Sequence, residues 1–294
     1  MSAKNISVVM ATFNGSKYIT KQLDSILQQT LVPDELIICD DNSTDDTVLL
    51  INSYENNSRI KLFVNEKRMG VVENFKKATT LATPSNWIAF ADQDDIWEQK
   101  KLRRLADEMI LIDDDIPALI YSDLTVIDKN DLVTAPSFWE KQKIRPEKIR
   151  LSTLLFGNVI TGCTTLINYP MAREFFLFNG LDYFHDEWLG LIAYTFGKVK
   201  MLNDKLVYYR QHESNVTFSE EYKIPLFTEG LKNDIDYLLK KKRFLSHQFE
   251  LAKSFLSTYR DKLTSEQIKI FENFIKQENK NYILQRLNRR ITYN

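Results

Sequence analysis

Short apolar runs rich in β-branched residues alternate, along the first half of the chain, with stretches whose apolar positions recur every three to four residues. The first pattern is that of buried strands and the second that of amphipathic helices, so their alternation predicts a parallel sheet with helices on both faces. The expected strands are Ile6 to Ala11, Glu35 to Cys39, Ile60 to Val64, Trp87 to Ala91 and Ala118 to Ser122. Between them fall the expected helices Lys17 to Gln28, Asp45 to Tyr54, Val71 to Leu81 and Glu98 to Ile112. Ser43, Thr44 and Asp45 stand where side-chain oxygens would cap the second helix. From about Phe138 to Tyr209 the elements are shorter and aromatic-rich, and they read as the second half of one α/β domain spanning residues 1–223. Residues 224–294 are helical by periodicity and read as a C-terminal extension. Within it Leu231, Ile235, Leu238 and Leu239 share a helical face beside the basic run Lys240 to Arg243. Such a helix suits peripheral contact with an anionic membrane, and equally packing on the domain or on a second copy in a homo-oligomer.

Composition narrows the classes. With 294 residues, 44% hydrophobic and 12% aromatic, the chain has enough apolar material for one large core plus an appendage. Lys and Arg total 39 against 40 Asp and Glu, which leaves no field to attract nucleic acid. No apolar stretch approaches the roughly 18 residues of a membrane span, and the first residues lack a signal-peptide pattern, so a cytoplasmic protein, at most peripheral on the inner membrane face, is expected. The two cysteines, Cys39 and Cys163, are expected to be buried reduced thiols.

In an open α/β sheet ligands bind beyond the carboxyl ends of the strands. Three polar clusters stand at such ends: Thr12-Phe13-Asn14, Asp40-Asp41-Asn42-Ser43 and Asp92-Gln93-Asp94-Asp95. Three aspartates within four residues repel one another, which a cation would relieve. The lack of Cys and the scarcity of His nearby favour Mg²⁺ or Mn²⁺ held by carboxylates and substrate phosphates. The plainer alternative is that these aspartates cap the following helix. Neither G-x-G-x-x-G nor G-x-x-x-x-G-K-[ST] occurs, which weighs against dehydrogenases and P-loop NTPases. Asp186 and Glu187 open a predicted helix, where they suit the positive helix end and where one of them could act as a general base. Arg210 and His212, after the apolar pair Leu206-Val207, offer a forked phosphate donor and a metal ligand.

Taken in order, Val8 to Asn14, Asp40 to Asp45 and Asp92-Gln93-Asp94-Asp95-Ile96-Trp97 resemble the inverting GT-A-type glycosyltransferases of family two, in their rhamnosyltransferase-like branch. The resemblance covers roughly residues 5–216 and implies a Rossmann-like mixed sheet flanked by helices. It implies that Thr12 and Phe13 line the nucleotide pocket, that Asp41 bonds the base, that Asp92 faces the ribose, and that Asp94 holds the metal; Asn14, beside Phe13, and Asn65, after the third strand, are further donor-side candidates. Phe13 stands where the family often has Tyr, which preserves stacking and loses a hydroxyl contact. His185-Asp186-Glu187-Trp188-Leu189 matches the family's H-D-x-W-L segment and points to Asp186 as base. Tyr209-Arg210-Gln211-His212 resembles the stretch that closes over the diphosphate, with Arg210 on the donor and His212 on the metal. Gly162 and Cys163, with Glu187 and Trp188, fall on the acceptor side. The expected activity is transfer of a sugar, rhamnose from dTDP-rhamnose first and a UDP-hexose second, to a cell-surface polysaccharide or lipid-linked glycan. Rival classes are a nucleotidyltransferase, whose glycine- and lysine-rich phosphate loop is missing, and a sugar-nucleotide binding protein without turnover.

Overall fold

The computed structural model describes residues 4–177, 184–213 and 245–280 together with Gln285 and Asn288. These fall into two compact units, Met1–Phe138 with Ile160–His212, and Trp139–Val159 with Glu213–Asn294. The expected boundary at 223 and the basic helix of residues 231–243 lie outside the described residues.

The first unit opens as the alternation dictates. Strands β1 (Ile6–Thr12), β2 (Glu35–Asp40), β3 (Ile60–Val64) and β4 (Trp87–Asp92) are separated by helices α1 (Ile19–Leu27), α2 (Thr47–Asn52) and α3 (Val71–Leu81). Every residue of β2 is buried, which is why Leu36 to Cys39 at its centre form a continuous apolar run rather than an alternating one. There follow β5 (Ile96–Trp97), α4 (Lys101–Met109), β6 (Ala118–Ile127) and β7 (Val133–Ala135); the chain then enters the second unit for α5 (Phe138–Gln142) and α6 (Leu151–Leu154), and the first unit resumes with β8 (Thr165–Ile167), α7 (Tyr169–Phe176), α8 (His185–Phe196) and β9 (Lys198–Arg210). Among the described residues the strands form one nine-stranded sheet in the order β3-β2-β1-β4-β8-β6-β9-β5, with β7 on β6.

The expectation of a parallel sheet holds for β3, β2, β1 and β4 and again for β6 with β9, and fails at the strands that join and edge them. The three-residue β8 runs antiparallel between β4 and β6, and the two-residue β5 runs antiparallel to β9. Strands this short display no period, so sequence pattern passes over them. The cap expectation also needs correction. Ser43 Oγ accepts the Asn14 N–H at 2.9 Å and the Thr44 N–H donates to Asn14 Oδ1 at 2.8 Å, so both residues tie the first loop to the second instead of capping α2. Asp45 alone serves the helix start, accepting the Thr47 N–H at 3.0 Å.

Gly197 joins α8 to β9 at a contact that leaves no room for a side chain: a Cβ there would lie 2.3 Å from the Pro117 carbonyl oxygen and 3.2 Å from that of Ala193. Because the obstacle is backbone, Gly197→Ala is expected to destabilise the protein by about 1–3 kcal/mol, seen as a lower urea midpoint at unchanged slope.

The second unit is helical. Its α9 (Ser246–Tyr259) and α10 (Ser265–Ile275) enclose a ring cluster in which Phe255 stacks on Phe271 at 5.2 Å, with Phe249 and Phe156 at 4.8 and 4.9 Å from Phe274. Thr264 caps α10 through a reciprocal pair with Gln267. Among the described residues no helix is long and apolar enough to cross a membrane.

Candidate active site

Parallel pairing sets the first half of the site. Thr12 is in register with Asp40, and Ala11 with both Cys39 and Asp92, so the three polar clusters emerge side by side at one sheet edge. Thr12 is buried and its hydroxyl donates to Asp40 Oδ2 at 2.7 Å, while Asp40 also accepts from the Ser43 N–H and hydroxyl. Gln93 grips the backbone of Phe13 from both ends, accepting its N–H at 2.9 Å and donating to its carbonyl at 3.0 Å. The Phe13 ring is partly exposed and carries the Arg68 guanidinium 3.9 Å above its centroid. Asp41 accepts the Met69 and Gly70 N–H groups at 2.6 and 2.8 Å and the Asn65 amide at 3.1 Å. Asn65, also buried, bonds Asn74 at 2.8 Å and takes a bond from Lys77 at 2.7 Å. Asp41 and Asn65 therefore organise the loop after β3 from beneath.

The second half depends on β5. Pairing of Ile96 with Tyr208 and Trp97 with Val207 returns the end of β9 to the aspartate loop. The Arg210 N–H then donates to Asp95 Oδ1 at 3.0 Å, its Nε to the Asp94 carbonyl at 2.7 Å, and His212 Nε2 lies 2.7 Å from Asp94 Oδ2. Arg210 is fully buried; its guanidinium also pairs with Asp131, donates to the Asp128 carbonyl at 3.0 Å, and covers the Tyr18 ring at 4.5 Å. His212 packs on the same ring at 5.1 Å.

Asp186 sits in the first turn of α8, and its Oδ2 accepts the Gly162 N–H at 3.0 Å. Burial, with Glu187 beside it, pushes the Asp186 carboxyl up to about 8. Glu187 is buried and accepts the Phe184 N–H at 3.3 Å, closing the helix start, and Trp188 is buried beneath it. His185 is caged by Phe75, Phe90 and Phe175 at 4.4, 4.9 and 6.3 Å, and burial lowers its pKa to about 3, so it is neutral.

The model for Glycosyl transferase family 2 matches residues 7–168, more than half of the chain and all three polar strand-end clusters. The chain belongs to glycosyl transferase family 2. WfgD of Escherichia coli, a UDP-Glc:alpha-D-GlcNAc-diphosphoundecaprenol beta-1,3-glucosyltransferase, is 32% identical over 162 residues, 55% of this chain and 59% of its own length. The dTDP-rhamnosyl transferase RfbG of Shigella flexneri is 29% identical over 233 residues, 73% of this chain and 77% of its own. The match thus spans about three-fifths of WfgD and three-quarters of RfbG. Among solved structures, S. aureus TarS 1-349 in complex with UDP-GlcNAc superposes with a TM-score of 0.59 at 20% identity, covering 93% of this chain and 81% of that one. The fold is accordingly the GT-A type, a mixed sheet flanked by helices with helices at the C-terminal end.

Two groups of this family 2 chain could be asked to hold a cation. Asp94 and His212 present one carboxylate oxygen and one imidazole nitrogen in contact, each side chain 14% exposed, which fits a divalent ion completed by diphosphate oxygens and water. The deeper trio Asp92, Asp95 and Cys163 brings its ligand atoms within 4.8 Å of one another. That trio fits a hard cation poorly: burial keeps the Cys163 thiol protonated, and the fully buried Lys101 amino group, its pKa lowered by burial to about 7, already lies within electrostatic reach of both carboxyl groups. Sequence reading had missed Cys163 as part of this nook and the grip of Gln93 on the Phe13 backbone, and had missed Lys101, Arg68 and Asp131 altogether. Only Lys101 left a signal, a charged residue four and eight positions before Leu105 and Met109 on the apolar stripe of α4.

Proposed function

We propose that the chain transfers a sugar from a nucleoside diphosphate to a hydroxyl of a glycan or lipid-linked glycan acceptor, with inversion at the anomeric carbon and Asp186 as base. The observation that carries this reading is the seat of Asp186: a partly buried carboxyl anchored by one backbone N–H, facing the aspartate clusters, with its proton affinity raised to about 8. Once ionised, a carboxylate of that affinity accepts a proton from a hydroxyl far better than one in water, so turnover should rise as pH approaches about 8 and the carboxyl loses its own proton. Asp186 removes the acceptor proton as the oxygen attacks the anomeric carbon opposite the departing nucleoside diphosphate. One carbon–oxygen bond forms as the sugar–phosphate bond breaks, and a single displacement inverts the centre.

Phe13, with Thr12 and Asn14 shaping its loop, lines the nucleotide side, and Asp41 and Asn65 hold the wall opposite. Asp92 faces the donor, and Arg210 fixes the loop on which Asp94 stands. Asp94 and His212 would hold Mg²⁺ or Mn²⁺, which when bound neutralises charge on the leaving diphosphate. Gly162, Cys163, Glu187 and Trp188 build the acceptor side around the base.

The first-choice donor is dTDP-rhamnose, supported by the match to RfbG, which extends over 233 residues against 162 for WfgD. A UDP-hexose is the second reading, favoured by the higher identity to WfgD, 32% against 29%. The lipid-linked acceptor in WfgD's name supports peripheral work at the inner membrane face.

Purified protein assayed with dTDP-rhamnose, UDP-glucose and GDP-mannose, with and without EDTA, separates these readings. Slow donor hydrolysis, water standing in for the acceptor, is expected from dTDP-rhamnose and should fall at least tenfold with EDTA. Release from UDP-glucose alone moves the donor to the second reading. Donor binding with no release under any condition would make the chain a binding protein.

A further inference from the structure

A lysine on the core stripe of a helix calls for an explanation, because a buried ammonium is costly unless its charge and its donors are met. Lys101 is fully buried, and four groups meet it. Its Nζ donates to the Cys163 carbonyl at 2.5 Å, lies 3.1 Å from the centroid of the Trp97 ring, and is in electrostatic contact with Asp95 and Asp92. The carbonyl it holds belongs to the helical turn Gly162–Thr164. The other end of that turn holds the base: the Gly162 N–H donates to Asp186 at 3.0 Å. The turn has little freedom, since a Cβ on Gly162 would come within 2.5 Å of His185 Nε2, and the Thr165 hydroxyl closes it with a 2.7 Å bond to the Gly162 carbonyl.

We propose that Lys101 is a positioning residue for Asp186. It acts through the Gly162–Cys163 backbone and couples the donor-side aspartates to the acceptor-side base. The coupling path is contiguous: Asp92 and Asp95 orient the ammonium, the ammonium holds the Cys163 carbonyl, and the turn so held aims the Gly162 N–H at the Asp186 carboxylate. Charge that settles on the donor side is thereby transmitted to the group that must receive a proton. The inference rests on Asp186 being the base.

The test is a double-mutant cycle on the full chain, with Lys101→Met, Asp186→Asn and both together, assayed on whichever donor the wild type turns over. Lys101→Met keeps the length of the stem and removes the donor. It is expected to lower kcat at least tenfold with donor KM within twofold and near-ultraviolet circular dichroism intact. In the Asp186→Asn background the same change should cost less than threefold, because the group being positioned is already gone. Losses that multiply in the double variant, or a raised KM at unchanged kcat, would overturn the proposal and leave Lys101 as a counter-ion. Should Lys101→Met fail to fold, Lys101→Met with Asp95→Asn, compared with Asp95→Asn alone, removes the cation together with one of its partners; failure of that variant to fold also overturns the proposal. The two readings fail differently: if Asp186→Asn alone retains wild-type turnover the base assignment falls, whereas an inactive Asp186→Asn with multiplying losses removes only the role of Lys101.

Discussion

Asp186→Asn is expected to lower turnover about 100- to 10,000-fold, the range of a lost general base, while leaving donor affinity within a few-fold and making the protein more stable. The stability gain follows from the sign of the shift. Burial raises the folded-state pKa of Asp186 to about 8, above the roughly 3.9 of an exposed aspartate, so between those values the folded state keeps a proton that the unfolded chain has released. Wild-type stability should therefore fall as pH rises from about 4 to about 8, and an asparagine, which has nothing to ionise, escapes that loss. With partial exposure allowed for, the advantage of the variant should be absent near pH 4 and reach on the order of 2–4 kcal/mol by pH 8. Urea midpoints of both proteins at pH 4.5, 6 and 8 check it. A variant equally stable at all three values would show that the carboxyl is solvated in solution, and would remove the main support for its role as base.

Arg210→Ala carries the second large effect, on stability. The guanidinium is fully buried and bonds the Asp94 and Asp128 carbonyls and the Asp131 carboxylate, so truncation leaves three acceptors and a cavity behind. A loss of about 3–5 kcal/mol is expected, typical of breaking one side of a buried pair. Arg210→Lys should recover little, because an ammonium cannot reach three partners in a fixed fork. Since Arg210 Nε holds the carbonyl of Asp94, metal-dependent turnover should fall in parallel. Asp131 adds a pH signature: Lys21 and then Arg210 hold it below the usual carboxylate range, a contribution present above the ordinary value and lost as pH falls through the lowered one. Melting curves and donor KM measured together distinguish two roles. A raised KM at unchanged stability would mean that the guanidinium leaves Asp131 to meet phosphate.

The parallel half of the sheet was legible because β1, β2 and β4 are apolar runs buried on both faces and the strands are separated by helices with their own period; the half-exposed edge strand β3 and α3 begin and end at the expected residues. The aspartate clusters were legible for the same reason, since a polar run directly after such a strand lands at the carboxyl edge whatever lies elsewhere. The ordered motifs from Val8 to Trp97 were enough to point to the family, and the family match covers them.

Everything that converts these clusters into one site was decided by contacts distant in the chain. His212 meets Asp94 across 118 residues, and Arg210 meets Asp131 across 79, because a two-residue strand with no readable period pairs with the end of β9. Lys101 looks from its neighbours like one more surface charge at a helix start; only burial against Trp97 and the Cys163 carbonyl, 62 residues away, makes it an interior cation. The proton affinity of Asp186 likewise comes from what is packed around it, since desolvation is a property of the surroundings and not of the residue. By itself the amino-acid sequence determined the period of the elements and the strand ends at which polar residues emerge, because both are local. Tertiary structure decided which of those residues meet and how strongly each holds its proton, because distance and dielectric exist only after the chain has closed on itself.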